Sequence, residues 1–424
     1  MTLDDAPLPA FRGYGIELEY MIVDRRTLAV RPIADALLGK AAGNEGHAVA
    51  DVDRGQFAWS NELVLHQLEI KNVAPDARLD ALATGFQAEI RSIEQMLACF
   101  DARLMPTAMH PWMDPERETR LWPHQNAIIY QTYDRIFGCS AHGWANIQSM
   151  HLNLPFAGDE EFSRLHTAAR LLLPILPALA ASSPVAGGRA RDAIDFRMAC
   201  YRLHPARVPA LIGRLVPDNV ASRAEYEATV LAPMYSDISP HDPEGVLRHE
   251  WLNTRGVMPR FDRNALEIRV IDLQECPLAD LAIAALVSAV TRALYGGHWS
   301  SPEAQRAIET GPLAAILLAC IRDGERAVID DAGYLALFGF AQRRCAAHEL
   351  WRHLLAACSG DPLLGAASRT ALDTMLSRGP LARRILRALG TGFDHARLAA
   401  VYRELCDCLD DGQLFLGPQP SGGA

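Results

Sequence analysis

The chain is expected to fold as an α+β protein, with a sheet-bearing first part and a helical C-terminal portion packed on it. Strand-like runs alternate with helical segments up to about residue 300. Beyond that point the chain turns Ala-, Leu- and Arg-rich with helical spacing, punctuated by Gly and Pro. Half of the 424 residues are hydrophobic and 22% are charged, an ordinary balance for a globular chain with an ample core.

The strand candidates are 13–24, 47–53, 62–73, 103–107, 146–154 and 264–273. In Gly15-Ile-Glu-Leu-Glu-Tyr20, alternation sends Glu17 and Glu19 to one face and Ile16, Leu18 and Tyr20 to the other. Neighbouring carboxylates raise each other's pKa unless a cation lies between them. Oxygen ligands of this kind suit hard Mg²⁺ or Mn²⁺. A solvated strand face with two unrelated acids gives the same pattern.

Glu62 and Glu69 lie seven apart, an odd separation that puts them on opposite faces of a flat strand. They share a site only if a turn or bulge intervenes, or if Glu62 precedes the strand. His151 alternates with Asn153 in Ser149-Met-His-Leu-Asn-Leu-Pro155. An isolated strand histidine is commonly structural, whereas one beside carboxylates is a candidate metal ligand. Glu267 and Arg269 alternate in Ala265-Leu-Glu-Ile-Arg-Val-Ile-Asp272, which reads as an ion pair or, around phosphate, as a charge clamp.

Helical candidates begin with 76–100, where Leu79, Leu82, Phe86, Ile90, Ile93 and Leu97 form one stripe after Pro75-Asp76. Others are 119–137, 159–181 and 279–296, then 303–322, 334–357, 363–377, 379–389 and 394–410. The uncharged run 171–188 contains Pro174, Pro177 and Pro184, and reads as a buried helix followed by a loop. These patterns divide the chain into a sheet-bearing portion over 1–300, a helical portion over 301–416 and a disordered tail over 417–424.

A net charge of −10 argues against a broad nucleic-acid surface. Met1 to Ala10 carries two aspartates and no apolar run, so no secretory signal is expected. Nine cysteines without a regular framework suggest reduced thiols, a cytoplasmic setting and no membrane partner. Cys406-x-Cys408 lacks structural-zinc spacing, no GxxxxGK[ST] occurs, and Gly13-Tyr-Gly15 lacks the later glycine of a dinucleotide fingerprint. His348 and His353 are five apart and splay around a helix rather than share an ion. Arg383-Arg384 reads as a solvated or ion-paired helix turn.

Several segments, in order, resemble the glutamate–cysteine ligase family. They are Gly15-Ile-Glu-Leu-Glu19, Gln67-Leu-Glu-Ile-Lys71, Met109-His-Pro-Trp112 and His151-x-Asn153. The run from Leu171 to Ser182-Ser-Pro184 and Leu266-Glu-Ile-Arg-Val-Ile-Asp272 complete the set. The likeness is to the type 2 carboxylate–amine ligase branch of the glutamine synthetase-like superfamily. It implies a curved antiparallel sheet of about six strands, with helices packed on one side, around ATP and Mg²⁺ or Mn²⁺. It also implies that a substrate carboxylate is phosphorylated and that an amine attacks the acyl phosphate, forming an amide or γ-glutamyl bond.

Carried over by motif, Glu17, His151 and Glu267 form one metal group, and Glu19, Glu62 and Glu69 the other. Arg269, with Glu267, falls at the transferring phosphate; Arg197 and Asn153 fall at the substrate, and His110 falls either there or in a structural role at a strand end. The family places Phe-Trp after Ser-Ser-Pro and Asp-Thr-Gly before the arginine. This chain has Val185-Ala186 and Ala190-Arg191-Asp192 there, in the loop expected to select the substrate. Amino acid substrates and ATP are the implied partners, with oligomeric state open, a homo-oligomer included. The competing readings are a phosphotransferase of guanidino-kinase type and a non-catalytic nucleotide-binding protein.

Overall fold

The structure, a computed structural model, describes residues 7–44 and 47–418. Its strands are β1 (Gly15–Asp24), β2 (Asp51–Arg54), β3 (Phe57–Asn61), β4 (Gln67–Asn72), β5 (Ala102–Met105) and β6 (Ser149–Pro155). A short hairpin, β7 (Val185–Ala186) and β8 (Arg189–Ala190), precedes β9 (Val257–Arg260) and β10 (Ala265–Asp272). The main sheet has eight strands in the order β2-β3-β4-β1-β6-β10-β9, with β5 also paired to β1. Every pairing is antiparallel. Strand β1 is the spine: Glu17–Met21 pairs with β4, Gly15–Leu18 with β6, and Met21–Asp24 with β5.

The sheet thus exceeds the expected six strands by β3 and β9, and each escapes pattern reading for a physical reason. Phe57-Ala-Trp-Ser is buried on both faces, so β3 shows no alternation. Strand β9 contains Pro259, which sequence rules demote, but it lies at the sheet edge, where a missing N–H is tolerated. The expected strand over 62–73 shrinks to Gln67–Asn72, and the expected helix over 119–137 begins only at Ala127.

One face of the sheet is apolar. Ile16, Leu18, Tyr20, Leu68, Ile70, Leu152 and Leu266 are fully buried in a core shared with the helices Leu79–Leu97, Gly158–Leu172 and Pro277–Tyr295. The stripe predicted for the first helix is buried as expected. Gly85 lies against β3 so closely that a Cβ would meet the Phe57 ring at 2.4 Å, so only glycine lets helix and strand approach here. Among the described residues, Pro277–Tyr295 is the one helix long and apolar enough to cross a membrane, and 78% of its apolar window is buried. The proline-interrupted run near 171–188 is helical to Ala180 and then leaves as a loop into β7.

Seven α-helices, from Pro302–Ala307 to His395–Asp411, follow among the described residues of the C-terminal portion, together with a short 3-10 turn and a two-stranded ladder that pairs Val328–Ile329 with Cys345–Ala346. Leu313, Trp351, Leu372 and their neighbours belong to the same core as the sheet. Leu381, Ile385 and Tyr402 close a second cluster against Met21 and Val23 at the far end of β1. Arg103 on β5 reaches Asp407 at 3.0 Å and Asp410 at 2.8 Å. Arg383 pairs with Glu325 at 2.8 Å, and Arg384, fully buried, meets the equally buried Glu275 just beyond β10. The solvated reading of this arginine pair is therefore wrong for Arg384. Of the expected disordered tail, residues 419–424 lie outside the described residues, whereas the Gly417 carbonyl accepts a 3.5 Å hydrogen bond from Arg378. All nine cysteines are free.

Replacing Arg384 with Ala strands Glu275 without its counter-charge. Stability should fall by about 3–5 kcal/mol, the usual cost of breaking a buried ion pair. Urea unfolding measures it; a loss below about 1 kcal/mol, typical of surface pairs, would show the pair to be dispensable.

Candidate active site

The polar face of the sheet is set by strand register. On one side of β1, Glu69 stands opposite Glu19 and Lys71 opposite Glu17. On the other, His151 stands opposite Glu17, and Glu267 of β10 opposite Asn153. Ser60 of β3 faces Glu69. Most of these side chains floor a cleft of about 930 Å³, walled in part by the helix Ala127–Phe137 and by residues near Tyr201 and Trp251.

His151 is the hub. Its Nδ1 lies 2.9 Å from Glu17 Oε2 and 3.9 Å from Glu267 Oε1, while Nε2 lies 3.0 Å from Ser149 Oγ and 3.5 Å from Glu19 Oε1. Ser149 donates its backbone N–H (2.6 Å) and hydroxyl (2.9 Å) to Glu19 Oε2. Lys71 Nζ lies 2.9 Å from both Glu69 and Ser60, and 3.5 Å from Asp51. Arg269 grips Glu267 Oε1 through Nε and Nη2 at 2.9 and 2.7 Å, and donates to the Asn253 carbonyl at 3.1 Å.

Two groups offer donor atoms that all lie within 4.8 Å of one another: Glu17, Glu69 and His151, and Glu19, Glu62 and Glu69. The second is the expected set. Glu62 joins it because it sits in the loop before β4, so the odd spacing to Glu69 never crosses a flat strand. In the first set Glu69 takes the place expected for Glu267, which Arg269 holds to one side. Glu69 thus stands between the two groups.

The electrostatics report a shortage of positive charge. Burial, then Glu69 and Glu19, pushes the Glu62 carboxyl well above its usual range. Burial also raises Glu19 despite the pull of His151 and Arg197. For Glu17, burial acts upward, but the His151 hydrogen bond and charge win and the pKa is lowered. Glu267 is lowered too, because Arg269 and His151 overcome burial. Burial opposes a charged His151, yet the Glu17 hydrogen bond and the charges of Glu19 and Glu267 lift it from 6.5 to about 9.

Arg197 lines the cleft with only 1% of its surface exposed. It meets Asp272 at 3.3 Å and the Arg269 carbonyl at 2.9 Å. Asp272 is a residue the spacing hid: it lies five after Glu267, nominally on the opposite face. A register shift between Ile268 and Ile271 inserts one extra residue in β10 and returns Asp272 to the polar side, opposite Ser149. There it accepts 2.8 Å hydrogen bonds from the Ser182 N–H and the Ser183 hydroxyl, and Ser183 Oγ accepts from the Arg197 N–H at 3.0 Å. The Ser-Ser-Pro run thereby fixes Asp272 and Arg197 together. Lys71 also went unassigned, although its alternation with Glu69 pointed to the same face.

Two expected substrate contacts are placed otherwise. Asn153 is not among the cleft-lining side chains; its amide donates to Glu17 Oε1 at 3.1 Å and so orients a carboxylate. His110 is fully buried away from the cleft lining. Its Nε2 is 2.8 Å from the Leu28 carbonyl, and Nδ1 accepts from the N–H groups of Trp112 and Met113. Burial lowers its pKa to about 4, so a neutral structural ring replaces the expected ligand contact. The loop expected to select substrate is the β7–β8 hairpin, turned by Gly187 and Gly188 at φ 59° and 73°, and it does not line the cleft either.

Likeness to a known family makes this chain an enzyme of the ligase class. The chain belongs to Glutamate-cysteine ligase family 2, whose model matches residues 14–397. It is 35% identical over 280 residues to a protein of unassigned function from Archaeoglobus fulgidus, covering 66% of this chain and 74% of that one. A protein from Nocardia farcinica named "Putative glutamate--cysteine ligase 2-1" is 26% identical and aligns over 96% of both chains. The fold is shared with a glutamate–cysteine ligase from Francisella tularensis solved in complex with AMP (TM-score 0.57, 13% identity, 93% of this chain and 88% of that one). It is also shared with a bifunctional glutathione synthetase from Pasteurella multocida (TM-score 0.57, 15% identity, 94% of this chain), of which this chain spans 52%.

In metal-free protein the His151 ring should titrate near 9, well above its ordinary 6.5. Its stabilising contribution is complete below 6.5 and lost as pH rises through about 9, because the folded state holds the proton more tightly than the unfolded one. Imidazole NMR signals followed against pH test this, and added Mg²⁺ should lower the midpoint by competing for the ring. A metal-free midpoint at or below 6.5 would contradict the placement of the surrounding carboxylates.

Proposed function

We propose that the protein is an ATP-dependent carboxylate–amine ligase that works through an acyl phosphate and uses Mg²⁺ or Mn²⁺. The observation that carries this reading is the pair of donor groups sharing Glu69, with Arg269 at their edge. The donor chemistry fits a hard divalent cation: carboxylate oxygens dominate, and burial beside Glu69 and Glu19 raises Glu62, a penalty that a cation between them would relieve. Glu17, His151 and Glu69 would hold one ion, and Glu19, Glu62 and Glu69 another. Such ions neutralise phosphate oxygens during transfer.

The protein's own groups do the positioning. Glu267 holds the Arg269 guanidinium beside the acid cluster through Nε and Nη2, leaving the second hydrogens of Nη1 and Nη2 to meet phosphoryl oxygens as charge develops on them. Arg197, fixed by Asp272, supplies positive charge for the substrate carboxylate. A carboxylate oxygen attacks the terminal phosphorus of ATP and ADP departs. The amine nitrogen then attacks the acyl carbon, inorganic phosphate leaves, and the amine proton passes to solvent. No nucleophilic side chain is needed, as in other phosphoryl transfers.

Release of ADP and phosphate should require acid, amine and Mg²⁺ together. A stable phosphorylated product from a single substrate would indicate a phosphotransferase, and absence of turnover across amino acid pairs a binding protein. Isothermal titration of ATP should show binding with Mg²⁺ and little in EDTA, because the cluster otherwise repels the triphosphate. Arg269→Lys keeps the charge but loses the fork, so kcat should fall roughly 10²-fold with modest change in ATP affinity. A near-normal kcat would reduce Arg269 to a partner of Glu267.

A further inference from the structure

The lining of the cleft is of two kinds. Val49, Leu63 and Ile129 are aliphatic, and Tyr130 stands near Glu62. Near Arg269 the lining is a chain of rings. Trp251 lies 6.0 Å from Tyr133, Tyr133 5.2 Å from Trp144, Trp144 4.3 Å from His204, and His204 4.4 Å from Tyr201, centroid to centroid. All five rings line the cleft.

At the foot of this wall stand both arginines. Tyr201 hydrogen-bonds Arg269, and the Arg197 guanidinium carbon is 5.9 Å from the Tyr201 ring centroid. Two donors here, Arg197 Nε and Trp144 Nε1, are buried without a hydrogen-bond partner. A buried donor left unpaired is costly, and Arg197, 1% exposed, is a charged one. Guanidinium groups at the base of a ring wall attract an anion and repel an ammonium ion. The rings above them, inclined to one another by 49° to 71°, present faces and edges that favour an apolar aromatic body.

We infer that this ring-lined part of the cleft takes the acid substrate, and that the acid carries an aromatic ring, with its carboxylate at Arg269 and Arg197 and its ring against Tyr133, Trp144 and Trp251. The inference rests on the ligase reading and adds the class of acid. The ring wall does for specificity what the β7–β8 hairpin, remote from the cleft lining, does not.

Hydroxylamine trapping separates the acid from the unknown amine. Hydroxylamine nitrogen attacks the acyl phosphate carbon, phosphate leaves, the nitrogen loses a proton to solvent, and a hydroxamate remains. The full chain, with ATP and Mg²⁺, is assayed on phenylacetate, phenylalanine and tryptophan against glutamate and aspartate. Ring-bearing acids should be favoured about tenfold or more in rate at low concentration. Trp251→Ala should raise their half-saturation concentration about tenfold and leave Mg²⁺–ADP affinity unchanged. The milder Trp144→Phe keeps a ring but removes the indole donor, and should weaken the same acids while the melting temperature holds.

Trapping of glutamate and aspartate alone would leave the ligase reading standing and overturn the ring-bearing acid. Trapping of no acid would overturn the ligase reading and this inference with it. Variants that weaken Mg²⁺–ADP but not the acids would make the wall the base site and likewise overturn it.

Discussion

The mutual repulsion of Glu17, Glu19, Glu62, Glu69 and Glu267 is the constraint around which this structure is organised. Two unit charges 4 Å apart cost about 4 kcal/mol at an effective dielectric near 20. A sheet is a suitable frame for such a load because backbone hydrogen bonds, rather than side-chain contacts, fix where each acid points. The apolar underside, buried against three long helices, supplies the cohesion that holds charged groups at close quarters. On the upper side Lys71, Arg269 and His151 answer the acids directly, and Ser149 and Asn153 donate hydrogen bonds to them. Each of these supports sits on the main sheet, so the site and the register of the strands stand or fall together.

What could be read in advance followed from strictly local periodicity. Glu17, Glu19, His151 and Glu267 share a face because alternation on an uninterrupted strand is a property of neighbouring residues. Wherever the chain broke step, reading failed or stayed undecided. Glu62 belongs to the cluster only through the loop before β4, and Asp272 only through the extra residue in β10. His110 looked like a site residue from its motif. Its ring is nonetheless claimed by the carbonyl of Leu28, 82 residues away, a contact no spacing reveals. The same is true of Arg384, whose surroundings come from β10's exit and the C-terminal end of the chain.

The walls of the cleft were the least legible part. Their rings come from the helix at 127–137 and from residues near 144, 201–204 and 251, segments with no common pattern. Tyr130 and Tyr133 are one turn apart on a helix, which reads as ordinary amphipathicity until the sheet beneath gives that face something to cover. The family match over 14–397 takes in the C-terminal helices as well as the sheet. That extent agrees with a core in which Trp351 and Leu372 are continuous with Ile16 and Leu152.

The offset in β10 has a consequence for how this chain can change its length. Loops elsewhere can gain or lose residues at modest entropic cost, since closure free energy grows only slowly with loop size. At Arg269-Val270 β10 already holds one residue more than its partner, so losing Val270 would restore plain alternation and leave Asp272 opposite Ser149, whereas a single insertion would re-phase everything downstream. With that insertion Asp272 would turn to the greasy side of the sheet, Ser182 and Ser183 would lose their acceptor, and Arg197 would be left buried beside a vacant position. Substitution there is a local matter; the gain of a residue is not. The strand therefore behaves as a ruler, in which the number of residues between Glu267 and Asp272 carries as much information as their identities.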